Sequence, residues 1–110
     1  ILERPGRAPV AFGTGGSERI RSALTQFVVN VVDFDMPLAD AVAAPRAHVE
    51  HGVLQLEPGF APSVVDEVRE HHPVNVWGVQ DLYFGGLHAV SPSGEHRGDP
   101  RRGGSSTSVN

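Results

Sequence analysis

The chain has 110 residues, 39% hydrophobic and 20% charged, with a mean hydropathy of −0.18, values that describe one globular domain or a piece of one and leave no room for a multidomain protein. Its net charge of −4 removes the general electrostatic attraction behind non-specific nucleic-acid binding, and no apolar run nears the roughly 20 residues of a membrane span. The absence of Cys closes disulfide, thiolate and Cys-zinc chemistry, and because all nine basic residues are Arg, lysine Schiff-base and Walker-type chemistry is closed as well.

In chain order, Arg4-Pro5-Gly6-Arg7 is a turn signal, and the short apolar piece at residues 8–12, followed by Gly, predicts a strand. After Gly13-Thr14-Gly15-Gly16-Ser17, the apolar residues Ile20, Leu24, Phe27, Val28, Val31 and Val32 fall on one helical face. This predicts a helix over residues 17–34, with Ser17 as its N-cap and Glu18 at the positive end of its dipole. Pro37 opens a second short helix, residues 38–44, which Pro45 stops. Residues 48–52 and 53–57 read as a hairpin around Gly52. Pro62 starts a third helix with Val64, Val65 and Val68 toward the core, ending near His71-His72-Pro73. Residues 74–79 and 83–90 read as strands, and residues 103–110, Gly- and Ser-rich, carry no core pattern and are expected to form a flexible tail. The sum is an α+β chain whose strands are expected to be antiparallel. It does not begin with Met, its first residues lack the basic start and apolar stretch of a signal peptide, and its N-terminus is read as a cut end.

The most chemical feature is Gly13-Thr14-Gly15-Gly16-Ser17 between a strand and a long helix. Glycines let the backbone approach a ligand, and the amides of a first helical turn favour an anion or an oxyanion. The spacing is neither G-x-G-x-x-G nor a P-loop, so the segment is either a tight strand-to-helix turn or a working cradle. Ser22, Gln26 and Asn30 form a polar line beside the apolar face, suited to a neighbouring segment or a substrate but read first as a solvated or domain-contacting face. His48 and His51 should point to opposite faces of a strand and so make no zinc pair, His71-His72 compensate a helix dipole, and His88 reads as a satisfied core histidine. Arg97-Gly98-Asp99 spells an adhesion tripeptide by chance, and Arg97, Arg101 and Arg102 make the one small basic cluster. No metal or cofactor is expected.

Five blocks carry a resemblance. Gly13-Thr14-Gly15-Gly16-Ser17-Glu18-Arg19-Ile20, Gln26-Phe27-Val28-Val29-Asn30-Val31-Val32-Asp33, Ala41-Val42-Ala43-Ala44-Pro45-Arg46-Ala47-His48, Phe84-Gly85-Gly86-Leu87-His88-Ala89-Val90 and Gly98-Asp99-Pro100-Arg101-Arg102-Gly103-Gly104, in this order, resemble the C-terminal part of gamma-glutamyltransferases. The resemblance covers residues 10–104 and implies the C-terminal portion of an N-terminal nucleophile hydrolase αββα sandwich. In that family self-cleavage exposes a Thr that attacks the gamma-glutamyl carbonyl, with its own α-amine as base. Ile1 cannot take that role, so the resemblance implies a fragment, residues 1–110 as a single partial domain, inert alone. Its implied partners are the remainder of the small subunit, the large subunit and a gamma-glutamyl substrate, with neither nucleic acid nor membrane. Strand edges and apolar faces left open by the missing part are expected to invite self-association, through the strand at residues 8–12 and the outer face of the long helix.

The family's oxyanion hole is made by backbone amides of a glycine pair. With the register anchored on Arg19-Ile20, the pair falls on Gly16 and Ser17, with Gly15 where a Pro is common; the alternative register is Gly15-Gly16. Ser17 departs from the pattern, but an amide donates whatever its side chain. The alternatives are a related acylase of the same superfamily, or a non-catalytic module that uses the Gly-rich loop for an anion or its sheet edges for a partner.

Overall fold

A computed structural model describes residues 1–109 as two small sheets, with two of the three helices laid on the first and the third against the second. The first sheet has the order β1-β5-β6, where β1 is Ala11–Gly15, β5 is Gly86–Val90 and β6 is His96–Arg97, all antiparallel. The second has the order β2-β3-β4, where β2 is Ala47–Glu50, β3 is Val53–Leu56 and β4 is Val74–Val76. The helices are α1, Arg19–Val32, α2, Leu38–Ala43, and α3, Pro62–Arg69, with single 3-10 turns at Leu82–Phe84 and Pro100–Arg102.

The core forms where α1 and α2 cover one face of the first sheet. Phe27, Val31, Leu38, Ala41 and Val42 from the helices pack with Val10, Leu87 and Ala89, and the Phe12 and Phe27 rings meet at 4.9 Å. Burying each of the Val, Leu and Phe side chains among them contributes on the order of 1.5–3 kcal/mol. Alternation along β1 and β5 sends Ala11, Gly13, His88 and Val90 to the opposite face, which is open; Val90 is 52% exposed.

Several expectations change here. The first strand is shifted relative to residues 8–12: Val10 only bridges Leu2, and β1 begins at Ala11 and runs on through the glycines, pairing as far as Gly15 with Gly86. Glycines keep a strand's ladder as well as any residue when a partner strand supplies the pairing, and here the Thr14 hydroxyl also accepts from the Gly86 N–H at 3.2 Å. Ser17 is therefore not the N-cap. Helix α1 starts at Arg19 after Glu18, which itself has helical φ and ψ and makes no side-chain cap bond. β4 pairs with β3 in parallel rather than antiparallel fashion, because α3 carries the chain across between them. On α3 Val65 is buried, while Val64 lies on the solvent side. The β2–β3 hairpin turns at His51 and Gly52, both with positive φ (50° and 77°), the requirement of a type I′ turn.

The polar line of α1 is a clamp rather than a solvated face. Gln26 donates to the Ala47 carbonyl at 2.7 Å and accepts from the Ala47 N–H at 2.8 Å, reproducing a strand partner, while Ser22 Oγ lies 2.7 Å from His48 Nδ1. Gln26→Ala leaves both Ala47 groups without that partner and should cost about 1–3 kcal/mol, read as a lowered Tm, whereas Asn30→Ala, whose side chain makes no hydrogen bond among the described residues, should leave Tm within a degree or so.

Candidate functional site

At the ends of β1 and β5, Gly15 and Gly86 lie side by side, and the chain then turns sharply into α1. Gly16 sits at φ +127°, a conformation that side chains rarely adopt, so the turn requires its glycine. Gly15, Gly16 and Ser17 are all exposed, and the Gly16 and Ser17 amides donate to no acceptor among the described residues. The first bond of the helix comes only afterwards, from the Ile20 N–H to the Ser17 carbonyl at 3.2 Å. The turn thus presents free N–H groups at the positive end of a 14-residue helix, a place where an oxyanion or a carboxylate is stabilised.

The turn is held from the α1 side by Arg19. Its Nε donates to the Tyr83 carbonyl at 3.1 Å, its Nη1 to Glu50 at 3.3 Å, and its guanidinium lies 4.5 Å over the Tyr83 ring. Tyr83 in turn donates its hydroxyl to Glu50 at 2.7 Å. Burial, and then the hydrogen bond to the Glu50 carboxylate, push the Tyr83 phenol up to about 12, and the same hydrogen bond is the main cause that lowers Glu50 from its usual value. The Tyr stays a donor and the carboxylate stays charged, so this clip is fixed across the neutral range.

On the β5 side the site rests on a buried four-charge cluster that sequence reasoning missed. Arg101 spends all five donors: Nε and Nη2 on Glu57, both at 2.6 Å, Nη1 on the Val42 carbonyl and Asp99, and Nη2 also on the Ala44 carbonyl. Arg46 donates to the Phe84 and Val42 carbonyls and pairs with Asp99 at 2.9 Å. Asp99 also accepts from the Leu87 and Arg101 amides at 2.6 and 2.8 Å. The Val42 and Ala44 carbonyls belong to the C-terminal end of α2, so the two guanidiniums supply caps that the helix lacks by itself. Burial raises Asp99, but the two amides and the two guanidiniums outweigh it and hold its carboxyl below the usual range.

This overturns the basic-cluster reading, since Arg101 is buried in ion pairs while Arg97 and Arg102 alone reach the surface. The adhesion tripeptide is unreadable by any receptor because Asp99 is 0% exposed. His88 is not a core residue either; it stands on the open face of the sheet, where its Nδ1 accepts from the Asp99 N–H at 3.1 Å. His48 is buried and His51 exposed in the hairpin turn, and among the described residues no group of three or more His, Asp or Glu is placed to hold a metal ion. The signals that sequence reading passed over were Arg46 and the doubled Arg101-Arg102, basic residues inside apolar or Gly-rich blocks rather than on a charged face.

Comparison with known proteins gives this geometry a lineage. Residues 1–109 match the family described as Gamma-glutamyltranspeptidase. The chain is 36% identical over 90 residues to the Acylase ACY 1 proenzyme of Pseudomonas sp. (strain V22), covering 80% of this chain and 15% of that protein. It is 33% identical over 67 residues to the Glutathione hydrolase proenzyme of Escherichia coli (strain K12), covering 59% of this chain and 12% of that protein. The solved gamma-glutamyltranspeptidase from Pseudomonas nitroreducens, complexed with L-DON, superposes with a TM-score of 0.80 at 28% identity, over all of this chain and 60% of that one. The chain spans about an eighth to a seventh of the length of those two precursors. The α+β arrangement is that of the N-terminal nucleophile hydrolase sandwich these proteins share.

Proposed function

This chain belongs to the gamma-glutamyltranspeptidase family, and from that premise we propose that it supplies the oxyanion loop of a gamma-glutamyl transferase or hydrolase whose nucleophile lies on a segment outside these residues. The observation that carries the reading is the Gly15-Gly16-Ser17 turn, with its undonated amides at the head of α1.

In this reading an N-terminal Thr attacks the gamma-glutamyl carbonyl carbon, its hydroxyl proton passing to its own α-amine. The carbonyl oxygen becomes an oxyanion, and the Gly16 and Ser17 amides donate to it; the pair Gly15 and Gly16 is the alternative register. Collapse of the tetrahedral species breaks the C–N bond, and the departing amine takes the proton. Water or an amine then attacks the acyl ester over the same two donors, giving hydrolysis or transfer. Donors aimed at the developing charge contribute more to the transition state than to the ground state, which is how such a loop raises kcat.

The remainder of the small subunit and the large subunit are the partners this reading needs. The open sheet face with Val90, and the exposed Val76, Val79 and Leu82, are the apolar surfaces they would cover. Without that cover the same surfaces and the free edge of β1 favour self-association. An acylase of the same superfamily, acting on a different acyl group, is the second reading, favoured by the identity to the ACY 1 proenzyme.

The test uses a gamma-glutamyl anilide. The complete, processed protein carrying this chain should release the aniline, and the isolated 110-residue chain should not exceed buffer, because no Thr begins it. Turnover by the purified isolated chain would sink the fragment reading. A processed protein that cleaves other acyl amides but never the gamma-glutamyl one would transfer the loop to the acylase reading.

A further inference from the structure

Arg102 lies across the strand ends that form the loop. Its stem rests on Gly86, where an added Cβ would overlap Arg102 Cδ, and its guanidinium lies against the next strand: Nη1 is 3.3 Å from where a Cβ on Gly15 would be, and Nη2 is 3.6 Å from that position on Gly16. Two facing glycines, Gly15 and Gly86, therefore open a trough in the sheet surface, and an arginine fills it. The backbone under the stem is fixed. Arg102 closes the Pro100–Arg102 turn, which Asp99 ties to β5 through the Leu87 N–H and to Arg46 through an ion pair.

The guanidinium itself is uncommitted. Its one hydrogen bond is from Nη2 to the Gly15 carbonyl at 3.3 Å, and among the described residues it has no carboxylate partner, like Arg4, Arg21 and Arg97 and unlike Arg7, Arg19, Arg46, Arg69 and Arg101. It is exposed on the same side of the sheet as His88 and the glycines. A planar fork held at one point, with its remaining N–H groups free beside an anion-favouring turn, suits a carboxylate that it can grip in bidentate fashion.

We propose that Arg102 is a specificity-determining residue that binds a carboxylate of the substrate next to the oxyanion loop. The inference rests on the reading of Gly15-Gly16-Ser17 as the loop facing the reacting carbonyl. A carboxylate can reach this position from the acyl donor or from the acceptor amine, since in both it lies a few bonds from the reacting atoms.

The experiment separates these sources. With the processed full-length protein, kcat/KM is measured for a gamma-glutamyl anilide and its α-carboxamide, and for glycylglycine and glycylglycinamide as acceptors. In one of the two pairs Arg102→Gln should shrink the acid-over-amide preference by about tenfold or more, while Arg102→Lys, which keeps the charge but not the fork, should retain part of it. The pair that responds names the source. An unchanged preference in both pairs, or an equal loss on acid and amide, would overturn the proposal, the latter because a merely structural role lowers both alike. Should Arg102→Gln fail to mature, Arg102→Lys decides: it should lose part of the acid-over-amide preference in one of the two pairs, and a preference equal to that of wild type in both counts against the proposal. Binding calorimetry of glutamate and of glycylglycine against their carboxamides needs no turnover. A protein without gamma-glutamyl activity would therefore sink the functional reading while leaving this test standing, and equal binding of acids and amides by wild type and Arg102→Gln would sink this proposal alone.

Discussion

Ser17→Pro in the complete processed protein should lower kcat for gamma-glutamyl transfer by about a hundredfold or more, while Ser17→Ala stays within a few-fold of wild type. Proline removes the N–H that the oxyanion needs, whereas Ala removes only a hydroxyl that makes no hydrogen bond among the described residues. The same logic does not extend to proline at Gly16. With φ at +127°, Gly16 has a backbone that proline, fixed near −65°, cannot adopt, so Gly16→Pro would break the turn and report on folding rather than on the donor. An amide-to-ester replacement at Gly16, glycolic acid for glycine, deletes the N–H and keeps the conformational freedom, and it should lose kcat by a similar factor. Ser17 is not among the positive-φ residues, so the conflict that bars proline at Gly16 does not arise there. Full processing and an unchanged circular dichroism spectrum are the controls. Near-normal kcat in both the Ser17→Pro and the Gly16 ester proteins would return the loop to a structural turn; loss at Gly16 but not at Ser17 would select the Gly15-Gly16 register.

What could be read from the sequence follows from which forces leave a local pattern. Helix α1 was legible because Phe27 and Val31 repeat on one face at helical spacing, and the β2–β3 hairpin because Gly52 marks a turn that needs positive φ. The loop was legible as a glycine-rich junction, but not the extent of its strand: Gly13 and Gly15 have no side chain to alternate, and only the pairing with His88 and Gly86 makes them strand residues. The parallel step of β4 onto β3 is a property of topology, invisible in a tripeptide as short as Val74-Asn75-Val76. His88 reads as core because its neighbours Leu87 and Ala89 are buried, yet the pleat turns it outward. The charged residues were the least legible. Arg46, Glu57 and the Asp99/Arg101 pair come from three separate stretches of the chain and each looks like solvent-facing polarity, so their burial became apparent only in three dimensions.

That cluster carries the largest expected loss of stability. Arg101→Ala leaves Glu57, which is 1% exposed, with the Arg46 N–H but no counter-charge in contact, and removes the donor of the Ala44 carbonyl and one of the two donors of the Val42 carbonyl; breaking a buried pair by removing one partner costs about 3–5 kcal/mol. Against a total of roughly 5–15 kcal/mol for a domain of this size, the protein should lose on the order of 15 °C in Tm. Arg101→Lys should rescue little, because an ammonium has three donors and cannot serve Glu57, Asp99, Val42 and Ala44 together. Asp99→Asn keeps the shape and an acceptor but drops the charge between two guanidiniums, and should fall between these two extremes and the wild type. The pH dependence has a definite sign. The folded Asp99 carboxyl lies below its unfolded value, so its contribution is complete above the ordinary aspartate pKa of about 4 and is lost as pH falls through the folded value. Acid melts of wild type and Asp99→Asn should therefore converge as pH drops below about 4, and stay apart at pH 7. Equal Tm values for wild type, Arg101→Ala and Asp99→Asn at pH 7 would mean the cluster is a neutral ornament. If the melts separate as expected, kcat should fall with them, since Asp99 ties the Pro100–Arg102 turn to β5 and β5 holds Gly15 in place through Gly86.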